Sequence, residues 1–276
     1  MKPAAHPTLL RLGGVAVLAA LFVFAVAGVK RHEREAAPES LNVVLSPVVQ
    51  MFMAGGDRFL AANVAVWRTT VFPLSSTDTE SAHALAAAQL VASRLNPAHE
   101  DNYYTAQGIL PWYGQVEATR EILTAAADSR STDFLPLFFL GFNAMYFEKK
   151  FTESGSYLER AASRMQGEDR LRMQATAAKF YEKGDDPDFA IKVIRGMQES
   201  TRSQALRDHL QIRVVRLEML KFLRAAAGRF EARFRRPPAS LEELVTSGIV
   251  VSLPVDPMGA GFELNPDGVP VLKLRK

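Results

Sequence analysis

The chain has 276 residues, enough for one large or two modest domains. Apolar residues make up 48% and charged residues 23%, the balance of a folded protein, which excludes wholesale disorder. The absence of cysteine excludes disulfides and thiol chemistry, and the net charge of +3 falls close to zero once Lys2 and Arg11 are set aside, so no global field draws nucleic acid.

Leu12 to Val29 runs 18 residues without a charged or strongly polar side chain. As a helix rising about 1.5 Å per residue it would extend about 27 Å, enough for the hydrocarbon core of a bilayer. Lys2 and Arg11 precede it, and Lys30, Arg31 and Arg34 follow. The expectation is an uncleaved membrane anchor within residues 1–30, inserted through residues 12–29. Ala25-Val26-Ala27 also has the small-x-small spacing of a cleavage site, which leaves a cleaved signal peptide as the alternative. The flanking cations are nearly balanced, so the positive-inside rule says little. The likeness of the segment to an export signal places the body outside the cytoplasm, on a single-pass protein of a bacterial inner membrane facing the periplasm.

Residues 31–56 read as a spacer and lead-in, polar from Arg31 to Ser40. Helical patterning then fills the chain to about residue 235. Gly55-Gly56-Asp57 is a break followed by an N-cap, and Phe59, Leu60, Asn63, Val64, Trp67 and Val71 follow at helical spacing until Pro73. A second amphipathic helix runs from about Thr79 to Leu95 and stops at Asn96-Pro97.

From there a period of about 34 residues appears. Tyr103, Tyr104 and Gly108, then Gly114, lead into Ile122, Leu123 and Ala126. Leu137, Phe138 and Phe142, then Phe151, lead into Tyr157, Leu158 and Ala161. A fainter copy holds Met173, Ala177 and Phe180, then Lys183-Gly184-Asp185, then Phe189, Ile194 and Met197. Two helices joined by a small turn at this period resemble the tetratricopeptide (TPR) family. Gly108 and Gly114 match its small helix-contact and turn positions, and Phe151 with Tyr157 to Ala161 match its second helix. Phe180 and Gly184 match the aromatic and the turn glycine. Pro111 inside a first helix and the missing turn glycine of the second copy depart from the pattern. An irregular helical domain is the alternative.

The resemblance implies a solenoid of antiparallel helix pairs over residues 57–200. Stacked pairs bury their apolar stripes against each other and leave a curved face for a protein partner. In that register Asn102, Thr105, Trp112 and Tyr113 line the face in the first copy. Phe139, Asn143, Tyr146 and Phe147 line it in the second, and Gln174 and Tyr181 in the third. Aromatics interleaved with amides suit a peptide or a partner's helix, although Phe139 and Phe147 are equally suited to the core.

Residues 201–236 read as one long basic helix. Arg202, Arg213 and Arg224 recur every 11 residues, about three turns, and so share one side as a stripe for anionic lipid or an acidic partner. Ile212, Val214, Leu217, Leu220 and Phe222 occupy nearly every direction around the axis, which favours a helix packed on several sides with its arginines turned outward.

Residues 237–276 change character. Pro237-Pro238 breaks the helix, Ser240 can cap a short helix over Leu241 to Leu244, and Gly248 closes it. Asn265-Pro266-Asp267-Gly268 between two short apolar runs predicts a β-hairpin. The pattern from Arg236-Pro237-Pro238 through Leu253-Pro254-x-Asp256-Pro257-x-Gly259 to Phe262 resembles the globular end of type II secretion pseudopilins. It is also similar to the tail of bacterial membrane-anchored TPR-like proteins, which share a Gly-x-Arg…Trp-Arg helix, here Gly56-Asp57-Arg58 and Trp67-Arg68. A pseudopilin carries its cleavage signal just before the apolar segment and a long helix continuing from it, and neither is evident here. Asp256, Asn265 and Asp267 are too few for a calcium site.

No phosphate-binding loop, dinucleotide fingerprint, metalloprotease helix or nucleophile elbow occurs, and His99-Glu100-Asp101 reads as a solvated helix start. No catalytic residue, metal ligand or cofactor is expected. The sequence therefore points to a mainly α protein, comprising an N-terminal transmembrane helix, a TPR-like solenoid and a small C-terminal α+β module. Its expected role is a non-enzymatic scaffold that binds a protein partner in a pilus, secretion or export assembly. The alternatives are a small-ligand or lipid module using the same groove, and an enzyme, which would need three ionisable side chains converging in a buried cleft.

Overall fold

The computed structural model describes residues 14–24, 44–70 and 79–273. The chain divides into two units, residues 1–43 and 44–276. In the first, residues 14–24 form helix α1, whose side chains are all exposed, Phe22 and Phe24 among them. Among the described residues no helix is long and apolar enough to cross a membrane. The rest of the expected 12–29 span, its flanking cations and its cleavage motif lie outside the described residues, as do Val71 and Pro73.

The second unit is mainly α. Helices α2 (Pro47–Met53), α3 (Arg58–Thr70) and α4 (Thr79–Leu95) pack together at its start. Three pairs follow: α5 (Glu100–Ile109) with α6 (Val116–Ser129), α7 (Leu135–Tyr146) with α8 (Phe151–Ser163), and α9 (Gly167–Lys183) with α10 (Pro187–Ser200). Equivalent helices begin 32 to 36 residues apart. The 31-residue α11 (Gln204–Phe234) packs on α9 and α10, then carries α12 (Leu241–Thr246) and an antiparallel hairpin. Strands β1 (Phe262–Leu264) and β2 (Pro270–Leu272) pair with Glu263 opposite Val271.

The helix ends follow from local chemistry. Asp57 caps α3, its carboxylate accepting from the amides of Phe59 and Leu60 at 2.8 and 3.1 Å. Asp186 caps α10 in the same way, with Pro187 in the first turn, where a missing N–H costs nothing. Pro111 does not interrupt an α-helix after all. The α-helix ends at Ile109, and Leu110–Tyr113 tighten into a 3-10 turn closed by Gly114 at φ 79°. In the second pair Lys149 takes the left-handed conformation at φ 60°, without the glycine that the turn favours.

Large apolar side chains alone do not set the packing. Gly108 faces open space, so it is not the close helix contact the pattern suggested. The close approaches occur at Gly141, where a Cβ would lie 3.0 Å from Leu158, and at Gly155, where it would lie 3.0 Å from the Tyr181 ring. These glycines let α7, α8 and α9 stack. From α4 to the tail the core is continuous: Met173 joins the cluster of α4–α8 to that of α8–α11, and Phe262 joins the latter to the α11–α12 cluster, while α3 packs on α4 through two smaller clusters of its own.

Between pairs, polar side chains finish the helix ends. Arg164 donates to the carbonyls of Ala127, Arg130 and Asp133 at 2.9, 3.0 and 2.7 Å, tying α8 to the end of α6 and the turn that follows it. The Tyr103 hydroxyl donates to Asp133 at 2.7 Å, and Arg130 pairs with the same carboxylate at 2.8 Å. Burial pushes the Asp133 carboxyl up, but the Leu135 amide, Tyr103 and Arg130 outweigh it and hold the group below the usual carboxylate range. A depressed folded value stabilises above the ordinary carboxylate pKa and is lost as pH falls through the folded value. Tyr103→Phe is therefore expected to cost roughly 1.5 kcal/mol at pH 7, and less as pH falls through and below the ordinary carboxylate range. Urea unfolding of both proteins across that range checks it.

Candidate functional site

Of the residues expected on a partner-binding face, the structure brings some to the surface and folds others inward. Trp112 and Tyr146 are 55% and 44% exposed, Tyr113 is exposed, and Thr105 and Gln174 are half-buried. Trp112 lies 5.3 Å from the Tyr146 ring and 5.0 Å from Phe147, which is half-buried, as is Phe139. Phe142 stacks on Tyr146 at 5.4 Å, and the Lys149 ammonium sits 5.3 Å above it. The 3-10 turn after α5 and the end of α7 thus present one aromatic patch.

Asn102, Asn143 and Tyr181 are buried and do not belong to that face. Asn143 and Gln107 exchange amide hydrogen bonds at 2.8 and 3.0 Å across the helices. Asn102 donates to the Gln89 carbonyl at 3.1 Å. The Tyr181 ring covers Gly155 and its hydroxyl donates to Glu159 at 3.0 Å. Buried amides are usually paired, and Asn143 and Gln107 satisfy each other, whereas Asn102 Oδ1 and both side-chain polar atoms of the buried Gln89 have no partner among the described residues.

A second surface lies on α2 and α3. The buried side of α3 is built of Ala61, Ala62, Ala65, Val66 and Thr69. These small groups allow close approach to α4. Its large apolar residues point the other way. Phe59, Leu60, Val64 and Trp67 stand exposed, Trp67 at 66%, with Val48, Phe52 and Met53 of α2, Phe52 at 84%. The spacing 60, 64, 67 is a helical stripe. The sequence pattern registered the stripe; it gave no sign that the opposite, alanine-rich side is the one packed inside.

The basic stripe does not form. Arg202 precedes α11, Arg213 is buried, and Arg224 donates to the carbonyls of Pro270 and Asp185 at 3.0 and 2.8 Å. Apolar residues surround α11, and its arginines are drawn into packing by acceptors from other segments. Glu182 of α9 pairs with Arg213, and with Arg216 at 3.1 Å. Arg216 Nε lies 2.9 Å from Asp256 Oδ1, an ion pair without hydrogen-bond alignment. Asp256 also accepts from the amides of Met258, Ala260 and Gly261 at 2.9, 3.0 and 2.7 Å. It thereby builds the turn before β1 and fastens it to α11.

Ionisable groups therefore do converge in a buried place, and each has an assigned electrostatic partner. Burial raises the Asp256 carboxyl, yet the Met258 and Gly261 amides and Arg216 hold it below the usual range. His209 Nε2 lies 3.1 Å from Arg213 Nε, and burial, aided by Arg213, pushes the imidazole pKa down, so the ring accepts as a neutral base. Asn265 accepts from the amides of Asp267 and Val269 and organises the hairpin turn. Among the described residues no group of three acidic or imidazole side chains could hold a metal. A cleft of about 740 Å³ beside Gln174 is open and has Glu168, Arg170 and Arg202 in its walls beside Leu171.

Compared with protein-family models, curated proteins and solved structures, the chain finds no match.

Proposed function

We propose that the protein is a membrane-anchored helical scaffold, not an enzyme, that holds a protein partner in a bacterial envelope assembly. The observation that carries this reading is the exposed ridge of α2 and α3, with Phe59, Leu60, Val64 and Trp67 uncovered on α3, whose other side is packed, and Phe52 uncovered on α2. Monomeric proteins rarely leave a contiguous apolar stripe in water, and a partner's amphipathic helix is the natural complement to an i, i+4, i+7 ridge. The Trp112–Tyr146 patch is a second contact of the same character.

Three further parts of the reading rest on the sequence. Residues 12–29 serve as the anchor; the wholly exposed apolar side chains of α1 favour lipid around that segment. The repeated helix pairs serve as a TPR-like solenoid, and residues 237–276 as a pseudopilin-like tail. A pilus, secretion or export machine is the assembly that this combination suits, with the body in the periplasm.

Photo-crosslinking tests the proposal. A photoreactive side chain at Val64 of the full chain in native membranes is expected to capture one polypeptide species, and Trp67→Glu to abolish the adduct. Adducts with lipid alone, or none at all, would overturn it.

A further inference from the structure

A pocket of about 240 Å³ opens between α9, α11 and the loop leading into the C-terminal hairpin. Its charge is unbalanced. The guanidiniums of Arg213 and Arg216 in its wall are matched by the carboxylates of Glu182 and Asp256. Lys179, Lys183 and Lys273 also line it, and none of the three forms an ion pair with a described residue. Lys183 stands over the Phe151 and Phe180 rings at 5.8 and 6.0 Å, and with Glu182 as the one carboxylate in the lining the opening keeps an excess of positive charge, which a bound anion relieves.

Two further features indicate a receptor for a ligand. Lys183 is half-buried; burial, and then the neighbouring Lys179, push its ammonium pKa down, the reverse of what an ordinary solvated lysine experiences. Arg216 Nη2 has only a carbonyl at 3.5 Å, that of Lys273, so its N–H is available to a stronger acceptor at the pocket. Glu182, which itself lines the pocket, holds both arginines, and Asp256 holds Arg216, so the guanidiniums are fixed in place. The other wall is apolar, made of Met258, Ala260 and Leu272.

We propose that this pocket binds a phosphate group, as the free anion or as the terminal phosphate of a small monoester whose organic part rests on Met258 and Leu272. The volume is below the roughly 300 Å³ at which drug-sized sites begin, which sets the scale of the ligand. Lysine ammoniums act as point charges and arginine supplies a directed donor, a combination suited to a tetrahedral dianion. The site is separate from the α2–α3 ridge, so its failure would leave the scaffold reading intact.

Calorimetric titration of the full chain in detergent, at constant ionic strength, tests the proposal. Inorganic phosphate and soluble dihexanoyl phosphatidic acid are the two probes, with chloride as the reference. Heat of binding to at least one probe is expected, and Lys179→Ala/Lys183→Ala should weaken it at least tenfold. The phosphatidic acid binding more tightly would identify a lipid headgroup as the source, and equal binding the free anion. Lys273→Glu, a change confined to an exposed side chain without an ion-pair partner among the described residues, should give a similar loss. Binding of neither probe, or binding unchanged in both variants, would overturn the proposal.

Discussion

Arg216→Ala is expected to lower the unfolding free energy by about 3–5 kcal/mol, the range for removing one partner of a buried ion pair. Arg216 is 8% exposed, and its two counter-charges, Glu182 and Asp256, are 3% and 0% exposed. Without the guanidinium, Glu182 keeps Arg213 but Asp256 keeps only backbone amides. Residues 253–273 should then become the first segment cut in limited proteolysis. The exposed Lys221–Asp188 pair provides the contrast: Lys221→Ala should cost about 0.5 kcal/mol or less, because solvent screens such pairs. The acid limb of stability should shift as well. Asp256 contributes stability above the ordinary carboxylate pKa and loses it as pH falls through its depressed folded value. Arg216→Ala removes one cause of that depression, so the loss should begin at a higher pH. Urea denaturation between pH 3 and pH 7 measures both effects, and a cost below about 1 kcal/mol at pH 7 would show that the tail docks without this cluster.

Leu158→Ala is expected to cost about 2–5 kcal/mol, as for other buried leucines, and to change the sign of a second substitution. Gly141 sits directly beneath the Leu158 side chain, and a Cβ there would also lie 3.3 Å from the Ser154 carbonyl. Alone, Gly141→Ala gains about 1 kcal/mol of helix propensity and loses about 1–3 kcal/mol to crowding, a net destabilisation. In the Leu158→Ala background the crowding side chain is absent and the same change should stabilise. A double-mutant cycle in urea reads the coupling, expected at about 1–3 kcal/mol. Additivity within about 0.3 kcal/mol would mean that α7 and α8 are not set by this contact.

The helix boundaries were legible because proline, glycine and aspartate mark them locally. Asp57, Asn96-Pro97, Gly114 and Pro237 each end or begin an element where their backbone preferences require it. The hairpin at Asn265-Pro266-Asp267-Gly268 was legible for the same reason. What periodicity cannot assign is which stripe of a helix goes inside. In α3 the large residues form the obvious stripe, yet the small ones make the contact. Asn102 and Asn143 have side chains that usually face water, and only their cross-helix partners make burial affordable. Gly141 and Gly155 gave a weaker local signal than Gly108, because a close approach is a property of two helices and not of one.

The charge cluster was the least legible feature. Glu182, Arg213 and Asp256 lie on α9, on α11 and in a loop near the chain's end, and no local spacing connects them. The reading of α11 as a packed helix was sound in its apolar residues. Its arginines turned outward only in part, because carboxylates and carbonyls from distant segments were there to receive them.

Helix α11 has a mechanical consequence. Its first half lies against α9 and α10, and its second half carries α12, so one continuous rod of about 46 Å links repeats to tail. A load applied to the hairpin would pass through Asp256 and Arg216 into that rod, and from Arg213 and Glu182 into α9. Tension between these parts would be borne by intact hydrogen-bonded backbone rather than by a hinge, so the tail should yield by detaching at its charged rivet before the rod itself bends.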